Sequence, residues 1–166
     1  HLMVIRELPS KLEFADGKRF QIGKTMLIFS KAVCHGTNPR LGYVTELCIK
    51  SSSEKFLHTS DVEGPSLEDQ ISFILNERPD VLFVDGPMTY MLGHRYSYKS
   101  LEISNNNLVR AIKETNIHTL VLDHHFLRDL NYKMRIKPVY EAAEKSKIQI
   151  GTAAEFCGEK ARCLKH

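Results

Sequence analysis

The chain has 166 residues, 42% of them hydrophobic and 26% charged. This length and composition are typical of one globular domain and exclude a disordered tail, a collagen-like rod and a low-complexity segment. A net charge of +3 does not by itself indicate nucleic acid or an anionic membrane as a partner. No apolar run approaches the roughly 18 residues that span a bilayer, and the first residues lack the pattern of a secretory signal.

The four cysteines, Cys34, Cys48, Cys157 and Cys163, form no C-x-x-C pair. They therefore indicate neither a zinc finger nor a disulfide scaffold. We expect reduced thiols and a cytoplasmic location, with a Cys157–Cys163 bridge as the alternative. We expect His1 and Leu2, which precede Met3, to be a cut end or a cloning scar, and the single domain to cover residues 3–166.

The first third of the chain predicts antiparallel β structure. Apolar and polar residues alternate across 11–31, and Asp16-Gly17 and Gly23-Lys24 are typical of turns between strands. Glycine and proline make 32–42 a loop. Two further strands are expected at 43–50 and 55–59.

The rest of the chain alternates strands with helices. Ser66 and Asp69 resemble a capping box for a helix that ends near 77, and Thr152 with Glu155 is a second capping box. Pro138 either kinks or begins a helix within 132–147. The continuously apolar strands predict a largely parallel sheet with helices on both faces. The expected strands are 81–84, 119–122 and 148–150, and the other long helix is 100–115.

Polar residues that bind metals follow four of these strands. His35 follows a strand ending near Val33, Asp61 follows the strand at 55–59, Asp85 follows 81–84, and Asp123-His124-His125 follow 119–122. Functional groups collect beyond the carboxyl ends of strands in open α/β sheets. Imidazole and carboxylate ligands suit zinc, iron or manganese, and a carboxylate can bridge two such ions around a water.

Each of these residues also has a structural interpretation. His35 can simply satisfy a loop hydrogen bond, and the segment "SDVEGP" is also typical of a turn and helix cap. Asp85 is either a turn residue or a partner that orients a ligand imidazole. Neighbouring side chains in extended backbone point in opposite directions, so only one of His124 and His125 is expected to face the site. His58, inside a strand, is expected to be structural or half-exposed.

The loop "TYMLGHRYSYK" over 89–99 combines aromatic and basic side chains. Such a loop can contact a phosphate or a nucleic acid by stacking and charge, or can simply be a surface loop. Its candidate contact residues are Tyr90, His94, Arg95, Tyr96 and Lys99.

The segments "SDVEGP", "DGPMTYMLGHRYS" and "LDHHFLRDLNY" together resemble an uncharacterised, mainly archaeal family of metallo-β-lactamase-like hydrolases. The resemblance runs from about residue 12 to 158. It implies an α/β fold that is the C-terminal half of an αββα sandwich, in which an antiparallel meander precedes a β-α-β-α-β unit with largely parallel strands. It implies hydrolysis of an ester, thioester or phosphodiester by metal-activated water at two zinc ions, or iron or manganese.

The same resemblance implies the roles of individual residues. His35, Asp61 and His124 would be metal ligands, with Asp61 as the bridging and catalytic carboxylate. The residues that would orient ligands or substrate are Asp85, His125, Arg128, His94 and Arg95.

The signature H-x-H-x-D-H of that fold does not occur in the sequence. The chain would then supply about half of the ligand set, hold metal weakly or not at all, and be inactive alone. Either a missing N-terminal half or a second copy would cover its sheet. A non-enzymatic module that binds RNA through the 89–99 loop is the alternative. A flavodoxin-like domain with an acidic site at Asp61 or Asp85 fits less well, because the chain begins with an antiparallel meander.

Overall fold

The structure, a computed structural model, describes residues 13–161 and 163. Its strands are β1 Arg19–Ile22, β2 Thr25–Phe29, β3 Val33–Cys34, β4 Tyr43–Val44, β5 Leu47–Lys50, β6 Lys55–His58, β7 Val81–Asp85, β8 Thr119–Asp123 and β9 Gln149–Thr152. Its helices are α1 Glu68–Glu77, α2 Tyr98–Glu114, α3 Tyr132–Arg135, α4 Lys137–Lys145 and α5 Ala153–Phe156. Short 3-10 helices occupy Pro39–Leu41, Thr89–Met91 and His124–Arg128.

Seven strands form one sheet in the order β1-β2-β5-β6-β7-β8-β9. The pairs from β1 to β6 are antiparallel, and the pairs from β6 to β9 are parallel. Strands β3 and β4 form a separate two-stranded sheet. The predicted mixed α/β class is therefore confirmed, with the antiparallel part first and the parallel part second.

The main core lies between one face of this sheet and helices α1, α2 and α4. Strands β7, β8 and β9 follow β6 in the same direction across the sheet. Right-handed crossovers between them therefore place all connecting helices on one face. The prediction that helices cover both faces is therefore wrong. The core contains side chains from the three helices and from alternate strand positions, among them Leu57, Leu82, Val84, Leu120 and Leu122.

The opposite face of the sheet carries two rows of mostly apolar side chains. Side chains alternate along a strand, so the neighbours of the core positions project from this second face. One row across the paired strands is Leu27, Ile49, Phe56 and Val81, and the other is Phe29, Leu47, His58, Phe83 and Val121. None of these residues belongs to the main core, and all except Val121 keep intermediate exposure. We call these two rows the open face.

Local hydrogen bonds fix where the helices begin. Thr152 caps α5 as predicted: its hydroxyl accepts from the Glu155 N–H at 3.3 Å, and Glu155 Oε2 accepts from the Thr152 N–H at 2.8 Å. The capping box predicted at Ser66 is wrong, because the side chain of Gln70 accepts from the Leu67 N–H instead, at 2.8 Å. Pro138 lies in the first turn of α4 and separates it from α3, so the helix predicted over 132–147 is two helices.

Two predicted strands also differ from the structure. Leu12 lies outside the described residues, and residues 13–15 are not in a strand. Asp16 instead accepts from the N–H of Ala32 at 2.7 Å. The strand predicted over 43–50 is interrupted at 45–46, because the Ser30 hydroxyl accepts the Glu46 N–H at 2.9 Å in place of a regular backbone partner.

The four cysteines are free, so the alternative Cys157–Cys163 bridge is absent. The predicted domain boundary at Met3 lies outside the described residues. None of the helices in the described part of the chain has the length and hydrophobicity that crossing a bilayer requires.

Candidate metal centre

The carboxyl ends of β6, β7 and β8 meet at one edge of the sheet, where the predicted site residues converge. Asp61 lies in the loop after β6, Asp85 ends β7, and His124 and His125 follow β8. His35 comes from the loop between β3 and β4, outside the main sheet.

Gln70 of α1 holds the loop of His35 in place. Its side-chain nitrogen donates to the carbonyl oxygens of Cys34 and Gly36, each at 2.9 Å, so it binds the residue on either side of His35. Gln70 is fully buried, and a buried amide with satisfied hydrogen bonds gives a fixed geometry. The sequence offered no signal for this tether.

Asp61 lies between imidazoles from two different loops. One carboxylate oxygen, Oδ2, is 3.1 Å from His35 Nε2. The other, Oδ1, is 3.3 Å from His125 Nδ1 and 3.9 Å from His124 Nε2. One ligand atom from each of Asp61, His124 and His125 lies within 4.8 Å of the others, so this group could hold a metal ion.

Two atoms of this cluster are buried without a hydrogen bond. His35 Nε2 and Asp61 Oδ1 are shielded from solvent and have no hydrogen-bond partner in the part of the chain that the structure describes. Both atoms take part in the ion-pair contacts given above, but a buried polar atom without a hydrogen bond is unfavourable unless another group compensates for the lost hydration. An imidazole nitrogen and a carboxylate oxygen are both metal-ligand atoms, so a cation fits the residues present.

Asp85 joins the loops that follow β6 and β8. Its carboxylate accepts from the Glu63 N–H at 2.7 Å, from the His125 N–H at 3.1 Å and contacts His125 Nδ1 at 2.9 Å. The Thr59 hydroxyl accepts from the Asp85 N–H at 3.0 Å. Burial raises the pKa of Asp85, and the hydrogen bonds and charge of His125 oppose that rise. Asp85 thus contacts the ring of His125, and its role in orienting a ligand imidazole stays a prediction.

His125 is the buried histidine of the pair, and His124 is exposed. Burial lowers the pKa of His125, but the hydrogen bond with Asp85 and the charges of Asp85, Asp61 and Glu63 together outweigh it, so the pKa lies above its usual value. The two rings meet edge to face with centroids 4.4 Å apart. Because the 3-10 helix begins at His124, the backbone is not extended there. The expectation that only one of the two histidines faces the site is therefore wrong.

Glu63 belongs to the site although the sequence analysis did not select it. Its carboxylate oxygen Oε1 lies 3.6 Å from His35 Nε2 and 4.0 Å from His125 Nε2. Burial raises the pKa of this carboxyl, and the two histidines oppose the rise. The sequence signal that could have identified Glu63 is its position two residues after Asp61, because two carboxylates so close in a loop can face the same site.

An open cleft of about 270 Å³ adjoins the cluster, lined by His58, Ser60, Asp61, Asp85, Asp123 and His124. His58, expected to be structural, accepts the Ser60 N–H on Nδ1 at 2.9 Å and stacks on Phe83. It therefore lies both on the open face and in the cleft.

The remaining predicted residues divide into those that reach the site and those that do not. Arg128 contacts His124, with one guanidinium nitrogen 3.3 Å from Nε2. His94 and Arg95 are exposed, and the described residues of the site make no hydrogen bond or ion pair with either side chain. Tyr96 is 2% exposed and its hydroxyl bonds to Ser66 at 2.8 Å, so it is a core residue and not a surface contact.

Three residues of the site have left-handed backbone without being glycine. The φ angles are 58° at Ser60, 52° at Glu63 and 51° at His124. A side chain in this region costs about 1–2 kcal/mol. Such strain clusters at functional sites, where the surrounding structure holds it.

Comparison with protein-family profiles finds no match. A UPF0282 protein of Korarchaeum cryptofilum is 48% identical over 147 residues, which are 89% of this chain and 49% of that protein. UPF0282 proteins of Metallosphaera sedula and Sulfurisphaera tokodaii are 38% and 40% identical, over 96% and 98% of this chain and 51% and 53% of theirs. Over most of its length the chain is therefore similar to archaeal UPF0282 proteins, and it spans about half the length of these relatives.

Proposed function

We propose that the chain is part of a metal-dependent hydrolase with the metallo-β-lactamase fold, and that it supplies the C-terminal half of the site. The observation that carries the proposal is the position of Asp61, whose two carboxylate oxygens face imidazoles from different loops. A carboxylate in that position is suited to bridge two cations. The strand order and the motifs quoted above support the fold assignment.

The residues present divide between two adjoining ligand groups that share Asp61. His35 Nε2 faces Oδ2, whereas His124 Nε2 and His125 Nδ1 face Oδ1, and Glu63 Oε1 lies near both His35 Nε2 and His125 Nε2. Nitrogen and carboxylate ligands favour zinc, with iron and manganese as the other fitting metals. A bound cation would lower the pKa of a coordinated water and so supply hydroxide near neutral pH.

The protein groups then orient this chemistry. Asp85 contacts the ring of His125 at Nδ1, and Asp61 lines the open cleft beside the cluster. Carboxylate–histidine pairs of this kind fix ring orientation and raise ligand basicity. In the hydrolysis of an ester, thioester or phosphodiester, the water oxygen forms a bond to the carbonyl carbon or the phosphorus. The bond from that atom to the leaving group breaks, and the leaving group takes the proton released by the water.

We further infer that the rest of a longer protein covers the open face and completes the ligand set. The chain spans about half of its relatives, so those proteins contain enough additional residues for a second layer. The open face is mostly apolar and ends at the cleft, because His58 belongs to both. The chain alone is therefore expected to hold metal weakly and to turn over little substrate.

Metal titration of the chain tests the site. We expect His35→Ala and Asp61→Asn each to weaken zinc binding by about tenfold or more, since each removes a ligand atom. His118→Ala is the control, because His118 is exposed and pairs with Glu54 at the opposite end of the strands.

Hydrolysis of p-nitrophenyl esters and phosphates is then measured with the chain alone and together with the unmatched part of the Korarchaeum cryptofilum relative. We expect little turnover by the chain alone, and turnover in the mixture that depends on His35 and Asp61. Turnover that survives both substitutions undiminished, or unchanged zinc affinity in both variants, would refute the proposal.

A further inference from the structure

Arg128 ends the 3-10 helix after β8 and holds its guanidinium beside a candidate ligand. One terminal nitrogen donates to the Tyr90 hydroxyl at 3.1 Å, and the other lies 3.3 Å from His124 Nε2. The central carbon of the guanidinium is 5.7 Å from the centroid of the Tyr90 ring. These contacts fix a long side chain that would otherwise be mobile in solvent.

Tyr90 connects this guanidinium to the second histidine. Its ring is parallel to the His125 imidazole, with an interplanar angle of 2° and centroids 6.0 Å apart. Tyr90 lies in the 3-10 helix after β7, whereas Arg128 follows β8. Arg128 is therefore positioned from two strand ends, like the candidate ligands themselves.

Among the described residues, no carboxylate forms an ion pair with Arg128. Ion pairs of Asp61, Glu63 and Asp85 in this region all go to histidines, and none of the ion pairs between described residues includes Arg128. A guanidinium has five N–H donors in a planar fork that matches the oxygens of a phosphate or carboxylate. The two contacts above leave donors available.

We propose that Arg128 binds the phosphoryl group of the substrate and that the chain therefore acts on phosphate esters. This inference rests on the proposed function. A cation on His124 Nε2 would use the lone pair that Arg128 now contacts and would free that N–H for another acceptor. Asp61 would offset part of the repulsion between a cation on His124 and Arg128, and an anion bound between the two would offset more of it.

The alternatives of a carboxylic ester or thioester lack this charge in the ground state. Their reacting carbonyl is neutral, whereas a phosphate ester carries negative oxygens that a guanidinium can bind with two hydrogen bonds. In the reaction, the water oxygen forms a bond to phosphorus and the ester P–O bond breaks. The electron pair of that bond stays on the departing alkoxide, which takes the proton released by the water.

Binding of inorganic phosphate to the zinc-loaded chain tests this role without requiring turnover. We expect Arg128→Gln to weaken phosphate binding about tenfold or more, and Arg128→Lys to give an intermediate loss, since lysine keeps the charge but not the planar fork. Arg110→Gln is the matched control, because Arg110 pairs with Glu68 and Glu114 on helix surfaces. Acetate is titrated in parallel, and zinc affinity is measured for every variant.

The outcomes separate this inference from the proposed function. If zinc binding depends on His35 and Asp61 and phosphate binding depends on Arg128, the results support the proposed function and this inference. Zinc binding with phosphate affinity unchanged in Arg128→Gln overturns the inference alone, as does acetate binding as tight as phosphate. Absence of zinc binding by the chain, both alone and together with the unmatched part of the relative, overturns the proposed function and removes the basis of the inference with it. A loss of zinc binding in Arg128→Gln itself would show a structural role and also overturn the inference.

Discussion

Glu46 is a fully buried carboxyl group whose environment differs from that of the site. It lies between β4 and β5 with 0% exposure, and neither carboxylate oxygen has a hydrogen-bond partner among the described residues. Burial, and secondarily the charge of Asp69, raise its pKa well above the usual value. The folded protein therefore favours the protonated form of Glu46.

This shift predicts a pH-dependent stability. When the pH rises above the usual carboxyl pKa, Glu46 ionises in the unfolded chain but stays protonated in the folded one. The folded state then loses up to about 1.4 kcal/mol per pH unit until the folded-state pKa is reached. The Glu46→Gln variant cannot ionise at this position. We therefore expect the difference in free energy of unfolding, variant minus unsubstituted protein, to increase between pH 4 and pH 7. Urea unfolding of both proteins at several pH values measures this difference, and a difference independent of pH would contradict it.

Asp85 shows that burial alone does not decide the role of a carboxyl group. It is 3% exposed, but it has three hydrogen-bond donors from the loops around the site. Burial raises the pKa of Asp85 as well, yet the contact with His125 opposes it. The difference between Asp85 and Glu46 lies in their neighbours, which become adjacent only when the chain folds.

At the scale of elements, the loop after β3 and the loop after β6 are packed against each other at Gly36. A Cβ atom at Gly36 would lie 2.2 Å from Oε2 of Glu63, and the φ of Gly36 is 68°. Gly23 has a similar φ of 59° in the β1–β2 turn, but no heavy atom lies within 4 Å of a Cβ built there. The two glycines thus have the same backbone requirement and differ in the space around them.

Alanine at these two positions separates strain from site geometry. Both Gly23→Ala and Gly36→Ala should lower the free energy of unfolding by about 1–2 kcal/mol, because each places a Cβ in the left-handed region. Only Gly36→Ala must also displace Glu63, so we expect it alone to weaken zinc binding. Thermal unfolding and zinc titration of both variants check this. Equal zinc affinity in the two would show that the contact between Gly36 and Glu63 does not shape the site.

Local sequence signals predicted much of the element order. The alternation of apolar strands with helices, the Thr152–Glu155 capping box and the break at Pro138 each depend on residues close in the chain. The interruption at 45–46 was not predictable in this way, because Ser30, sixteen residues away, provides the competing hydrogen bond. Glu63 and Gln70 were missed for the same reason, since their partners are set by how loops meet.

For the whole molecule, the shared direction of the crossovers leaves one face of the sheet without connecting helices. All connecting helices lie on one face, and the open face keeps half-buried aromatic and aliphatic side chains. Large contiguous apolar surfaces on a soluble domain indicate contact with another chain or layer. The sequence predicted a parallel sheet but not this asymmetry, because an apolar strand looks the same whether one or both of its faces are covered.

Substitution on the open face tests its role in association. Ile49 lies in the row between Leu27 and Phe56, whereas Met134 is 65% exposed on α3. We expect the isolated chain to self-associate at high concentration and Ile49→Lys to reduce this, because a charge in an apolar contact is unfavourable. Met134→Lys should leave it unchanged. Sedimentation analysis measures the association, with circular dichroism as the check on folding, and equal effects of both variants would contradict the prediction.

The left-handed residues at the site have a consequence for any attempt to redesign this chain for heat resistance. Glycine at Ser60, Glu63 or His124 would relax the backbone and so offers a gain in stability. The same exchanges would delete a cleft wall, a buried carboxylate or a histidine of the candidate centre. A design procedure that optimises stability alone would therefore replace residues of the candidate metal centre.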